Sequence, residues 1–93
     1  MNVKYTVKPT GKFRKDYKLM EKRRFNMSLL DEVITKLATG IPLPAKNRDH
    51  ALTGNWLGHR ECHILPDWLL IYRIENKTLV LVLSRTGSHA DLF

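Results

Sequence analysis

The sequence predicts an α+β domain in the order β-α-α-β-β-β, with two N-terminal helices packed on a small, mainly antiparallel four-stranded sheet. Three observations predict it. The first residues alternate apolar with polar at the period of a strand, residues 10–40 switch to helical spacing, and after Gly54 the chain turns to short apolar, β-branched runs. Consecutive strands joined by short links pair antiparallel, and two helices can cover one face of such a sheet. The 93 residues fit a single domain spanning 1–93 and exclude a two-domain enzyme with a separate cofactor module.

Val3, Tyr5 and Val7 alternate with Asn2, Lys4, Thr6 and Lys8, which buries one face of a first strand that Pro9 closes. From Thr10, Phe13, Tyr17 and Met20 recur at helical spacing among Lys12, Arg14, Lys15, Lys18, Lys22, Arg23 and Arg24. Ser28 stands where an N-cap belongs, with Asp31 and Glu32 facing the positive end of a second helix. Leu29, Leu30, Val33, Ile34, Leu37 and Ala38 form its apolar stripe and Gly40 its stop. Pro42 and Pro44 prevent further helix, so residues 41–53 read as an extended surface connection. Strands follow at 56–64, 67–74 and 78–84, with Pro66 ending the first and Asn76 and Lys77 turning between the last two.

Charge divides the chain. Sixteen Lys and Arg against nine Asp and Glu leave +7, but residues 1–48 carry +8 and residues 49–93 carry −1. Such a field attracts polyanions without choosing among nucleic acid, an acidic membrane surface and an acidic protein. The single cysteine, Cys62, excludes an internal disulfide and a cysteine-built zinc site, and suits a reducing cytoplasm. The longest apolar run, residues 68–72, falls far short of the ~20 residues of a membrane span, and neither a signal peptide nor a lipidation motif is evident.

All four histidines lie in the second half. His50, His59 and His63 fall within fourteen residues, and on a strand starting at Trp56 the side chains of His59, Glu61 and His63 share one face. Imidazoles beside a carboxylate suit proton transfer at neutral pH. A shared metal fits less well: His59 and His63 would stand about 13 Å apart on a strand, so a site would need Glu61, one His, and His50 or His89. If the basic helix holds a phosphate backbone, two imidazoles and one guanidinium suffice to cleave RNA. A base takes the 2′-hydroxyl proton, an acid protonates the departing 5′-oxygen, and Arg85 or Arg60 stabilises the phosphorane. DNA lacks the 2′-hydroxyl and would stay intact. The blander readings are a solvated basic helix, surface histidines, core or rim tryptophans and a small buried Cys62.

The motifs KNRDH, RECHILPDWLLIY and RTGSHADLF, in this order and spacing, closely resemble the YafQ branch of the RelE-type toxins, the ribosome-dependent mRNA interferases of bacterial type II toxin–antitoxin modules. The likeness is dense in the C-terminal half and one of layout in the N-terminal half. It implies that His50, His63, Asp67 and His89 supply the acid–base and orienting groups, and Arg85 the charge on the transition state. Trp68 and Phe93 would hold mRNA bases or shape the site. Glu61 stands where some relatives have aspartate, a plausible additional catalytic group, whereas His59 stands where some have tyrosine, which narrows the histidine row mainly to His63. Lys15, Lys18 and Lys22, with Arg60, are the candidate phosphate contacts. The resemblance implies no cofactor or metal, no membrane, a cognate acidic antitoxin, and mRNA in the A site of the ribosome as substrate, with DNA reached only through the antitoxin. A toxin-fold protein that acts by binding, such as a gyrase poison or a non-catalytic RNA-binding regulator, is the alternative.

Overall fold

Residues 3–93 are described by a computed structural model, in which strand gives way to helix at Thr10. Its hydroxyl accepts from the Phe13 N–H at 3.1 Å and donates to the Ser84 carbonyl at 2.9 Å, so one side chain caps the helix and ties it to the last strand. The elements are β1 (Thr6–Pro9), α1 (Gly11–Lys22), α2 (Met27–Ala38), β2 (His50–Ala51), β3 (Arg60–Leu65), β4 (Trp68–Glu75), β5 (Val80–Gly87) and α3 (His89–Leu92). The sheet order is β1-β5-β4-β3-β2. Only β1 runs parallel to its neighbour, pairing Thr6–Pro9 with Val80–Leu83.

The α+β class and the two N-terminal helices are as expected; the sheet has five strands rather than four because the connection after Pro44 is structured. A 3-10 turn at Ala45–Asn47 leads into β2, which pairs with Arg60 and Glu61. Other boundaries move. The first strand begins at Thr6, since Lys4 and Tyr5 donate instead to the Ala38 carbonyl at the end of α2 (2.8 and 3.0 Å); Asn2 lies outside the described residues. Asn26, not Ser28, takes the N-cap position of α2, and the Ser28 hydroxyl donates to the Asn26 side chain at 2.6 Å. Gly40 does stop α2, at φ +74°, with the Ile41 N–H returning to the Lys36 carbonyl at 2.9 Å. A 3-10 turn at Gly54–Trp56 delays β3 to Arg60, and β5 runs on to Gly87.

The two helices bury Phe13, Met20, Leu30, Val33 and Leu37 against Cys62, Trp68, Leu70, Tyr72, Leu81 and Leu83 on one face of the sheet. Each such side chain contributes about 1.5–3 kcal/mol by leaving water. The opposite face carries only a small cluster of Leu69, Ile71 and Leu92, with Leu52 and Trp56 packed at its edge. No helix among the described residues is long and apolar enough to cross a membrane.

Candidate active site

The open face is set by strand pairing. Directly opposed residues share a face, so the ladder lines up His50, Glu61, Ile71 and Arg85 across four strands, and His63, Leu69 and Gly87 in the next row. Short as it is, β2 puts His50 beside Glu61, with its Nε2 3.1 Å from Glu61 Oε2 and its Nδ1 2.6 Å from the Arg48 carbonyl. His63 Nε2 lies 3.8 Å from the same Glu61 oxygen, and its Nδ1 meets the Pro66 carbonyl at 3.1 Å, which leaves Nε2 for proton exchange. Glu61 is 5% exposed and its Oε1 has no hydrogen-bond partner among the described residues.

The third imidazole comes from the C-terminus. His89 opens α3, whose N-cap Ser88 accepts from the Asp91 N–H while the Asp91 carboxylate takes the Ser88 N–H. Gly87 makes room for this turn: a Cβ there would stand 3.0 Å from that of Asp91. His89 therefore sits on a helix, not in the loop its Gly and Ser suggested. Both its backbone N–H (3.1 Å) and its Nδ1 (2.8 Å) meet Asp67 Oδ1 in the turn between β3 and β4. The imidazole bond first, and the backbone bond second, hold the Asp67 carboxyl below its ordinary range. Ring centroids run His50 to His63 at 6.4 Å, His63 to His89 at 5.8 Å, and His89 to Phe93 at 6.4 Å. His50, Glu61, His63, Asp67, His89 and Phe93 thus form one continuous surface.

Arg85 shares the Glu61 row, but its guanidinium is gripped by Asp16 of α1 at 2.7 and 3.1 Å, which raises its pKa further. Asp16 also accepts from the Thr86 N–H at 3.1 Å. Beyond Leu83, where pairing with β1 ends, α1 therefore takes over the edge of β5. Lys15, Lys18 and Lys22 are exposed on α1.

One expected base contact is corrected. Trp68 is 1% exposed, so it cannot stack on a base; its indole N–H donates to Thr86 at 2.9 Å and its ring meets Phe25 edge-on in the core. Its contribution is to frame the strand that follows Asp67. Arg60 pairs with Tyr72, on the helix side of the sheet, and donates to Asp49 at 3.3 Å with its side chain 41% exposed. His59 lies before β3 rather than on it, packed edge-on against Trp56. Sequence reasoning missed Asp16 and Asn47. The latter is 5% exposed and donates to the His63 carbonyl at 2.7 Å, but a polar residue in a Pro-rich connection carries no periodic signal. Among the described residues no group of three His, Cys, Asp or Glu side chains is arranged to hold a metal ion.

Strands, helices and histidine surface together define a RelE-type bacterial toxin. The family described as the bacterial toxin of type II toxin–antitoxin systems, YafQ, matches residues 5–93, and the chain belongs to it. The mRNA interferase toxin YafQ of Escherichia coli K12 is 43% identical over 88 residues, 94% of each chain. Among solved structures, the metal-bound toxin from Helicobacter pylori is 44% identical, with a TM-score of 0.90 over 96% of this chain and 99% of that one. The E. coli DinJ–YafQ complex is 41% identical, with a TM-score of 0.88 over 96% and 98%.

Proposed function

We propose that this protein is a ribosome-dependent mRNA interferase that cleaves translated mRNA by acid–base catalysis without a metal cofactor. The observation that carries this reading is the convergence of three imidazoles from β2, β3 and α3, each 5.8–6.4 Å from the next, on the one sheet face the helices leave open. His89 has its Nδ1 fixed by Asp67 and its Nε2 without a partner among the described residues, so it suits the base that takes the 2′-hydroxyl proton. The 2′-oxygen then bonds to phosphorus, the P–O5′ bond breaks, and the His50–Glu61 pair or His63 returns a proton to the 5′-oxygen. Arg85, held in place by Asp16, supplies positive charge for the phosphorane. Phe93, 62% exposed at the edge of the cluster, is placed to meet a base, and Lys15, Lys18 and Lys22 to meet ribosomal RNA.

The E. coli relative has been crystallised in the DinJ–YafQ complex, which supports an acidic antitoxin as the partner here as well. Mapping mRNA ends from a ribosome-containing reaction tests the chemistry. A 2′,3′-cyclic phosphate with a 5′-hydroxyl, formed undiminished in chelator, is the expected result, and His63→Ala and His89→Ala should relieve growth arrest. Intact mRNA alongside DNA damage would replace this reading with a binding toxin.

A further inference from the structure

A well-defined cleft lies beside the histidines rather than over them. About 490 Å³ in volume, it runs from the first turn of α2 across the 3-10 turn at Ala45–Asn47 to the end of β3, and His63 forms one of its walls. Leu29, Leu65 and Pro66 make an apolar side; Lys46 and Arg48 make a cationic one. Leu65 is 48% exposed because the register shift between His63 and Leu65 interrupts the pairing of β3. Arg48 adopts a left-handed backbone at φ +46°, rare for a long side chain, and this conformation aims its carbonyl at His50 Nδ1. Neither Lys46 nor Arg48 forms an ion pair among the described residues, whereas Arg23, Arg60, Arg73 and Arg85 all do.

We propose that this cleft binds the mRNA nucleotide adjoining the cleaved bond, with Lys46 and Arg48 on its phosphate and the base against Leu29, Leu65 and Pro66. The inference builds on the interferase reading. Its volume falls in the range of small-ligand sites, and the pairing of an apolar wall with free cations matches a nucleotide, which joins a planar base to a phosphate within one residue. Continuity with His63 gives the nucleotide its register relative to the proton-transfer groups. Leu65 then bears on which base is accepted and the cations on how tightly any base is held.

Steady-state cleavage of a defined mRNA in a ribosome-containing reaction tests this. In the double variant Lys46→Gln with Arg48→Asn, where asparagine tolerates the left-handed backbone, KM should rise about tenfold with kcat within about twofold, and the salt dependence should flatten by about one to two charges. Leu65→Trp, on an exposed site, should redistribute the cut positions among nucleotides. Unchanged KM and cut sites, or a loss confined to antitoxin affinity, would overturn the proposal. A short RNA carrying 4-thiouridine and a 2′-O-methyl block supplies a readout independent of cleavage. Photo-crosslinks at residues 64–66 of the wild type support the cleft even if mRNA proves not to be the substrate. Crosslinks elsewhere, with cleavage intact, sink the cleft and spare the interferase reading.

Discussion

On the helix side of the sheet Cys62, Trp68, Leu70 and Tyr72 are at most 1% exposed beneath α1 and α2, while their sequence neighbours Glu61, His63, Leu69 and Ile71 face the other way. There, a few apolar side chains leave His50 and His89 about half exposed. The pleat separates stabilising from reactive residues at single-residue spacing. The packed side stabilises a fold that can then keep Glu61 buried with His50 held at its edge.

The sharpest way to break this contrast is to delete one residue from each face. His63→Ala should lower mRNA cleavage about 10²–10⁴-fold, the usual worth of a general acid or base, while shifting the melting midpoint little. Trp68→Ala should do the reverse in kind, costing about 3–5 kcal/mol of stability through its cavity and the lost bond to Thr86. Thermal melts and cleavage assays on the two proteins check this; a large loss of stability in His63→Ala would dissolve the distinction. Next in size is Glu61→Gln. Removing its charge deprives both His50 and His63 of their shared carboxylate, so cleavage should fall about tenfold to a hundredfold. Stability should change little, because an amide fits the same buried space and its oxygen can still accept from His50.

Asp67→Asn should have a smaller effect, since His89 keeps its place on α3 and loses only a charged acceptor. Cleavage at neutral pH should drop severalfold. The pairing also gives a pH signature. The Asp67 carboxyl is held below 3.8 by His89, so its stabilising contribution is present above pH 3.8 and disappears as pH falls through the lower folded value. Melting curves of the two proteins from pH 6 to pH 2 should converge in acid. The separation above pH 4 should be slight, because Asp67 is exposed.

Much of the reactive face was legible in the sequence, since the resemblance of RDH, ECH and GSH picked out three histidines whose rings do converge and that of PDW picked out Asp67, which holds the third. The fold class was legible too, because helical and strand periods differ plainly on either side of Gly40. What escaped depended on partners remote in the chain. Two-residue β2 is too short for any periodicity, and only pairing with Glu61 defines it. Trp68 follows Asp67 directly, yet its face depends on the irregular pairing beside it, where His63 opposes Leu69 and Leu65 opposes Trp68. The grip of Asp16 on Arg85 spans 69 residues. At the start of α2, Asn26 and Ser28 are both good capping residues, and local preference does not rank them.

Cys62 offers the smallest and most local test of the two-face arrangement, because it lies between Glu61 and His63 in sequence and on the opposite side in space. Burial above all, and then the charges of Asp49 and Glu61, push its thiol from 9.0 up to about 12. Only the thiolate attacks a disulfide reagent, and at 0% exposure the sulfur is also out of reach. At pH 8 the native protein should therefore label with dithionitrobenzoate only as fast as it unfolds, and one equivalent should react at once in denaturant. Because the folded value is raised, the contribution to stability is complete below pH 9 and is lost as pH climbs toward 12; Cys62→Ala should remove that alkaline slope. Trp68→Ala, by loosening the same face, should speed labelling, whereas His63→Ala, one residue away in the chain, should leave it unchanged. Rapid labelling of the native wild type would place Cys62 on the histidine side and invert the pleat on which the whole site depends.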